Sequence, residues 1–202
     1  MKKFFVALLV ALCGAVPLFA DDVADVKAVI VKDCELAAKG DFLGAAARWT
    51  LDYQEVNPDV TLSYAQVKRL FLALDGKHPE EFLITYFMYA RGREPNPQEM
   101  EEIRKDLRDP EFATAYPTAA KEFAEQLKRS AARQLETMKF VSVKVDGDRA
   151  TAVLTYRQVM GNREIPAHET LSLRKIDGEW RIARRVIEID SAGRSTKSAR
   201  RR

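Results

Sequence analysis

The stretch KFVSVKVDGDRATAVLTYRQVMGNREIPAHETLSLRKIDGEWRIARRVIEI, residues 139–189, decides the fold. Val141, Val143 and Val145 alternate with Ser142 and Lys144, the two-residue period of a strand. Asp146-Gly147, Gly161-Asn162 and Asp177-Gly178 are tight-turn pairs, and they divide the stretch into four strands. The strands begin at Lys139, at Arg149, before Leu171 and at Glu179. Consecutive strands joined by such short turns form an antiparallel meander. His168, Thr170 and Ser172 share the solvent face of the third strand. The apolar face needs a cover, and only the segments upstream can provide it.

Those segments read as helices. Val26, Ile30, Cys34 and Ala37 mark the apolar stripe of a first helix over 22–39, which Gly40 ends. Asp41 caps a second, short helix expected to reach Trp49. Residues 51–60 contain Pro58 and read as a loop or an edge strand. Ser63 and Gln66 form a capping-box pair for a helix to about Leu74. Pro79, Glu80 and Glu81 open another, and Gly92 closes it. This 79–91 helix carries Phe82, Leu83, Ile84, Tyr86, Phe87, Met88 and Tyr89, so it is expected to be buried on several sides or to line a cavity. Asn96, Pro97 and Glu99 start the next one. Asp109-Pro110 and Tyr116-Pro117 are expected to break the helical region, with a long helix from about Thr118 to Met138. Helices first and strands afterwards predict a single α+β domain over 21–190.

The ends differ from the body. Lys2 and Lys3, the apolar run Phe4–Leu12, Pro17 and the small residue Ala20 have the order of a secretory signal, with cleavage expected after Ala20 and export to the periplasm or beyond. The run is too short to span a membrane, and no later one is longer, so the mature chain is expected to have no transmembrane segment. The formal net charge is +3. Lys2 and Lys3 lie in the leader, and Arg194, Lys197, Arg200, Arg201 and Arg202 crowd the tail, so the body itself is acidic. That distribution argues against a nucleic-acid face. Residues 191–202, small and basic, read as a disordered tail.

The chain contains no His-Glu-x-x-His, Gly-x-Ser-x-Gly, phosphate loop or Cys-x-x-Cys, and thus predicts no catalytic motif, no metal site and no cofactor. His78 is expected to serve a helix start and His168 to face solvent. After removal of a leader containing Cys13, Cys34 is the remaining cysteine, read as a small buried hydrophobe.

Gly40-Asp41-Phe42 after a first helix, Val145–Ala150 at the first hairpin and Asp177-Gly178-Glu179-Trp180-Arg181-Ile182 at the last one resemble the nuclear-transport-factor-2-like superfamily, also described as SnoaL-like or cystatin-like. The resemblance covers about 23–75 and 119–189, leaving 76–118 as an added helical segment. It implies a curved sheet wrapped around a long helix to form a cone. Members include isomerases, dehydratases, hydrolases, carriers and binding modules. Ile165-Pro166, Leu171, Asp177-Gly178, Trp180 and Ile187-Glu188 are also similar to periplasmic phospholipid carriers of the Mla pathway, although Ile189-Asp190 departs from their pattern.

If the cone forms, Trp49, Tyr53, Phe71, Phe87, Tyr156 and Leu171 are its expected linings. Asp52, Tyr53, Tyr156 and Glu169 are the acids and tyrosines that would do proton chemistry in it. The expected function is non-catalytic binding or carriage of an apolar or amphipathic ligand, a lipid among them, or of an envelope partner. The alternatives are a small-molecule lyase, isomerase or hydrolase, and a structural envelope protein with a filled cone. A buried ionisable pair at the cavity floor would favour the enzyme, and an all-apolar floor the carrier.

Overall fold

The computed structural model describes residues 18–58 and 60–189. The apolar leader up to residue 17 and the basic tail lie outside the described residues. Helices α1 (Leu18–Ala38), α2 (Phe42–Ala46), α3 (Tyr64–Ala73), α4 (Pro79–Arg91), α5 (Pro97–Leu107) and α6 (Pro110–Thr137) cover one face of a mixed sheet. Its strands are β1 (Trp49–Val56), β2 (Thr61–Ser63), β3 (Lys139–Asp146), β4 (Arg149–Met160), β5 (Arg163–Ile176) and β6 (Glu179–Ile189). Their order is β2-β1-β6-β5-β4-β3. The α+β class and the C-terminal meander are as expected.

The sheet has six strands rather than four. β1 lies parallel to the last strand β6 and antiparallel to the short β2, so the region read as loop or edge strand extends the sheet beyond the meander. Trp49, expected to close α2, opens β1 instead: the helix stops at Ala46, and the Arg48 carbonyl accepts from the Ile182 amide. Pairing with β6 wins over local helix propensity there.

The second difference is at Pro117. Helix α6 runs through it without a break. A proline inside a helix removes one ladder bond and crowds the previous turn. Tertiary contacts on the same turns offset this. The buried Tyr116 donates its hydroxyl to the Ala73 carbonyl at 2.6 Å and accepts from the His78 amide at 3.2 Å. Phe112 and Phe82 pack on its ring.

Caps follow the sequence closely. Both capping boxes form, at Ser63–Gln66 and Asn96–Glu99, and Asp41 caps α2 through the Gly44 amide. The Asp177-Gly178 turn has φ of 53° and 84°, the doubly positive pair that a type I′ hairpin requires. Trp180 follows this turn and is buried, as is Ile182 on the same face.

Two bulges set the inner surface. In β3 the register shifts between Phe140 and Ser142. Phe140, Val143 and Val145 pack on the core, while Val141 is left exposed. In the β5–β6 pair, Ser172 faces Arg184 and Leu173 faces Ile182, so Ala183 is the extra residue. A bulge reverses which side chains point inward beyond it. Trp180 and Ile182 are buried on one side of Ala183, and Arg185 is turned inward on the other.

The main core joins Val26 and Ile30 of α1 to Ala152, Leu154, Leu171, Leu173 and Ile182 of the sheet. A second, smaller cluster lies where the added helical segment meets its flanks, with Phe82 and Tyr116 packed on Ala73 of α3 and Ala120 of α6.

Candidate functional site

Between the helices and the open end of the curved sheet lies a cavity of about 330 Å³. Its walls are apolar and aromatic. They are built from Phe42 and Ala45 of α2, Leu70 and Phe71 of α3, Phe82 and Tyr86 of α4, and Phe123, Leu127 and Ala131 of α6. A wider, open groove shares Phe82, Tyr86 and Phe123 with the cavity and continues past Glu122, Gln126 and Arg129, so α4 and α6 frame the mouth.

The floor is polar. Arg185, carried inward by the bulge, places a terminal guanidinium nitrogen 2.6 Å from Asp33 Oδ2 of α1. Its Nε lies 2.7 Å from Glu169 Oε1 of β5, an ion contact without hydrogen-bond alignment. The guanidinium also lies over the Trp49 ring, 5.8 Å from its centroid. Asp33 Oδ1 accepts from Trp49 Nε1 at 2.7 Å, and Glu169 Oε2 accepts from Gln134 Nε2 at 2.8 Å. Beside this cluster, Glu55 accepts from the Tyr53 hydroxyl at 3.1 Å and from Asn57 Nδ2 at 3.0 Å.

Burial governs the electrostatics. Desolvation pushes the Glu169 carboxyl above its ordinary pKa. Arg185 and a hydrogen bond with Tyr156 oppose that shift, while Asp33 and Glu55 reinforce it. Desolvation works against the charge on Arg185, but Tyr53, Glu169, Asp33 and Glu55 around it hold the guanidinium charged. The Tyr53 and Tyr156 hydroxyls are driven well up by burial. Burial, with Asp33 beside it, raises the Cys34 thiol to about 12, so this cavity cysteine is an inert thiol rather than a nucleophile.

Of the residues named from sequence, Trp49, Phe71 and Tyr156 line the cavity. Tyr53 is buried behind Trp49, stacked on it with ring centroids 4.2 Å apart. Leu171 is fully buried in the main core, two residues along β5 from the floor residue Glu169 and on the same face. Phe87 carries the Arg93 guanidinium 5.5 Å from its ring centroid and is not among the described lining residues. Asp52 is exposed and ion-paired with Arg174, away from the cavity. Glu169 is fully buried at the floor. His168 is exposed, and His78 sits at the start of α4, where its backbone amide bonds Tyr116.

Sequence reading missed Asp33 and Arg185. Asp33 had a signal: it lies three residues after Ile30 and seven after Val26, on the buried stripe of α1. Arg185 had none, because alternation from Trp180 and Ile182 sends Arg184 inward, and only the bulge changes that. Among the described residues no group of His, Cys, Asp and Glu is arranged to hold a metal, and Arg185 occupies the space between the two buried carboxylates. No described helix is long and apolar enough to cross a membrane.

No protein-family model and no curated protein sequence matches the chain. Solved structures do. An NTF2-like protein with a cystatin-like fold from Novosphingobium aromaticivorans is 13% identical over 95% of this chain and 94% of its own, with a TM-score of 0.48. An NTF-2-like protein of unknown function from Silicibacter pomeroyi is 15% identical over 85% and 98%, with a TM-score of 0.45. A ketosteroid isomerase-like protein from Erwinia carotovora atroseptica is 12% identical over 83% and 95%, with a TM-score of 0.41. The chain is thus similar in outline to NTF2-like and cystatin-like proteins, and at these scores the similarity says nothing about ligand or activity.

Proposed function

We propose that this chain is an exported small-molecule-binding domain whose cone takes up a compact amphipathic ligand. The apolar body of the ligand lies against the aromatic walls, and its polar end meets the Asp33–Arg185–Glu169 floor. One observation carries the reading: an aromatic-walled cavity of about 330 Å³ sits above a floor of buried, mutually paired ionisable groups. A volume of that order suits a small molecule. Burying such a cluster costs desolvation that an apolar filling would avoid, so stability alone does not account for it. Walls of this kind favour binding by apolar burial at roughly 25 cal/mol per Å², before the costs of association. The leader sequence supports export, with the cut after Ala20 falling in the first turn of α1.

A second reading, acid–base turnover, is favoured by the buried carboxylate pair itself. Glu169, pushed up by burial, is suited to hold a proton beside Asp33, which faces the cavity. Binding ranks first because both oxygens of Asp33 and of Glu169 already have protein partners. Such engagement fixes a recognition surface more readily than it frees a base.

A thermal-shift screen of small amphipathic compounds tests the proposal, run on the wild type and on Ala131→Phe, which fills the cavity from α6. Compounds that raise the melting temperature of the wild type alone support it. Equal shifts in both proteins, or none in the wild type, overturn it. Conversion of a hit, abolished in Glu169→Gln while binding persists, would establish the enzymatic reading instead.

A further inference from the structure

Resting on that reading, we propose that the polar end of the ligand is an organic cation, an ammonium or a similar protonated base, and not a carboxylate or phosphate. Among the described lining residues the charged side chains are Asp33, Glu55 and Arg185, and Glu169 lies directly beneath. Arg185 is thus the single positive charge among them, and it is already held between Asp33 and Glu169. An anionic head placed on this floor would add negative charge to a site already rich in carboxylates. Its counter-charge would have to come from a guanidinium that two buried acids share. Like charges brought together in a poorly solvated site repel strongly.

The hydrogen-bonding inventory points the same way. Gln134 Nε2 and Asn57 Nδ2 each donate one hydrogen bond, to Glu169 and to Glu55. Gln158 lines the cavity, and its Oε1 is buried with no hydrogen-bond partner among the described residues. A carboxylate oxygen has lone pairs for more than one donor, so Asp33 can accept another beside Trp49 and Arg185. The floor therefore offers acceptors to a ligand that donates. Above it, the aromatic side chains of Trp49, Phe71, Phe82 and Tyr86 line the space. Aromatic faces attract cations, and more strongly where water is excluded. An ammonium can use the acceptors and the rings at once. A neutral alcohol uses only part of the acceptors, and an anion is repelled by the carboxylates and gains nothing from the rings. The same features disfavour a phospholipid, whose phosphate is anionic.

Isothermal calorimetry at pH 7 with octylamine, octanol and octanoate separates the cases, because the three share one apolar chain and differ in charge. Octylamine is expected to bind about tenfold or more tighter than octanol, with octanoate weakest. Glu55→Gln keeps the shape of the side chain and removes its charge, and should reduce the preference for octylamine severalfold. Asp33→Asn should do the same, and Glu55→Gln decides alone if that variant does not fold. Equal binding of amine and alcohol, or tighter octanoate, overturns the cation inference and leaves the small-molecule reading standing. A preference unchanged in the folded variants also overturns it. Failure of all three to bind overturns the small-molecule reading and this inference with it.

Discussion

The closed end of the cone and its open end are built on the same strands but filled differently. At the closed end, Ala150, Ala152, Leu154, Leu171, Leu173 and Ile182 interlock with Val26, Ile30 and Trp180. The Trp180 indole N–H donates to Asp22 Oδ1 at 3.2 Å, and Lys175 pairs with the same oxygen at 2.6 Å. At the open end the sheet faces turn polar at Glu169 and Arg185, and the helices stand back to leave the cavity. One end is thus filled by side-chain volume and the other is floored by paired charge, and the two should respond differently to changes of size and of charge.

The sharpest contrast is in charge. Arg185→Ala leaves two buried carboxylates without their counter-charge and should cost about 3–5 kcal/mol in urea denaturation. Converting the whole cluster with Asp33→Asn, Glu169→Gln and Arg185→Met should recover much of that loss. If the triple variant is no better than Arg185→Ala, an unpaired buried charge is not the source of the loss. Trp180→Ala, at the packed end, should also cost about 3–5 kcal/mol, through the cavity it opens. An unchanged melting temperature would refute the packed-end description.

Size gives the next contrast. Ala152 is fully buried in the core, and Ala152→Phe should overpack it at a cost of about 1–3 kcal/mol. Ala131→Phe enters empty space and should cost less than about 1 kcal/mol. Equal losses would mean that the open end is as tightly filled as the closed one. Tyr116→Phe removes the bond to the Ala73 carbonyl that ties α6 to α3, and should cost about 1 kcal/mol.

Titration gives a smaller and more specific signature. The raised Glu169 group binds its proton more tightly in the folded chain than in the unfolded one. Its share of stability is therefore greatest at low pH, and it falls as pH rises from the ordinary glutamate value through the raised one. Glu169→Gln should flatten that part of the stability–pH curve. An identical slope in both proteins would place the titration elsewhere. Cys34, at about 12, should resist thiol reagents in the folded state at pH 8 and react once the chain unfolds.

Much of the frame is legible in the sequence because the signals are local. Both capping boxes, the Gly92 helix stop with its φ of 68°, and the Asp177-Gly178 turn each depend on a few neighbouring residues. What escapes is set by distant contacts. β1 is a strand because β6 lies alongside it, and Pro117 is held in a helix by the docking of Tyr116 on α3. The site divides in the same way. Glu169 follows from the alternation of β5, and Asp33 from the stripe of α1. Arg185 depends on a single inserted residue at Ala183, which no periodicity announces.

The open end, on the proposed function, is a binding cavity with a paired-charge floor. Native mass spectrometry reads its occupancy, on the wild type purified without detergent and on Ala131→Phe prepared in the same way. A small noncovalent adduct is expected on the wild type, released by gentle activation and lost from the equally folded variant. Each protein at its own ligand-free mass, with no adduct gained when octylamine is added to the wild type, would refute the binding cavity.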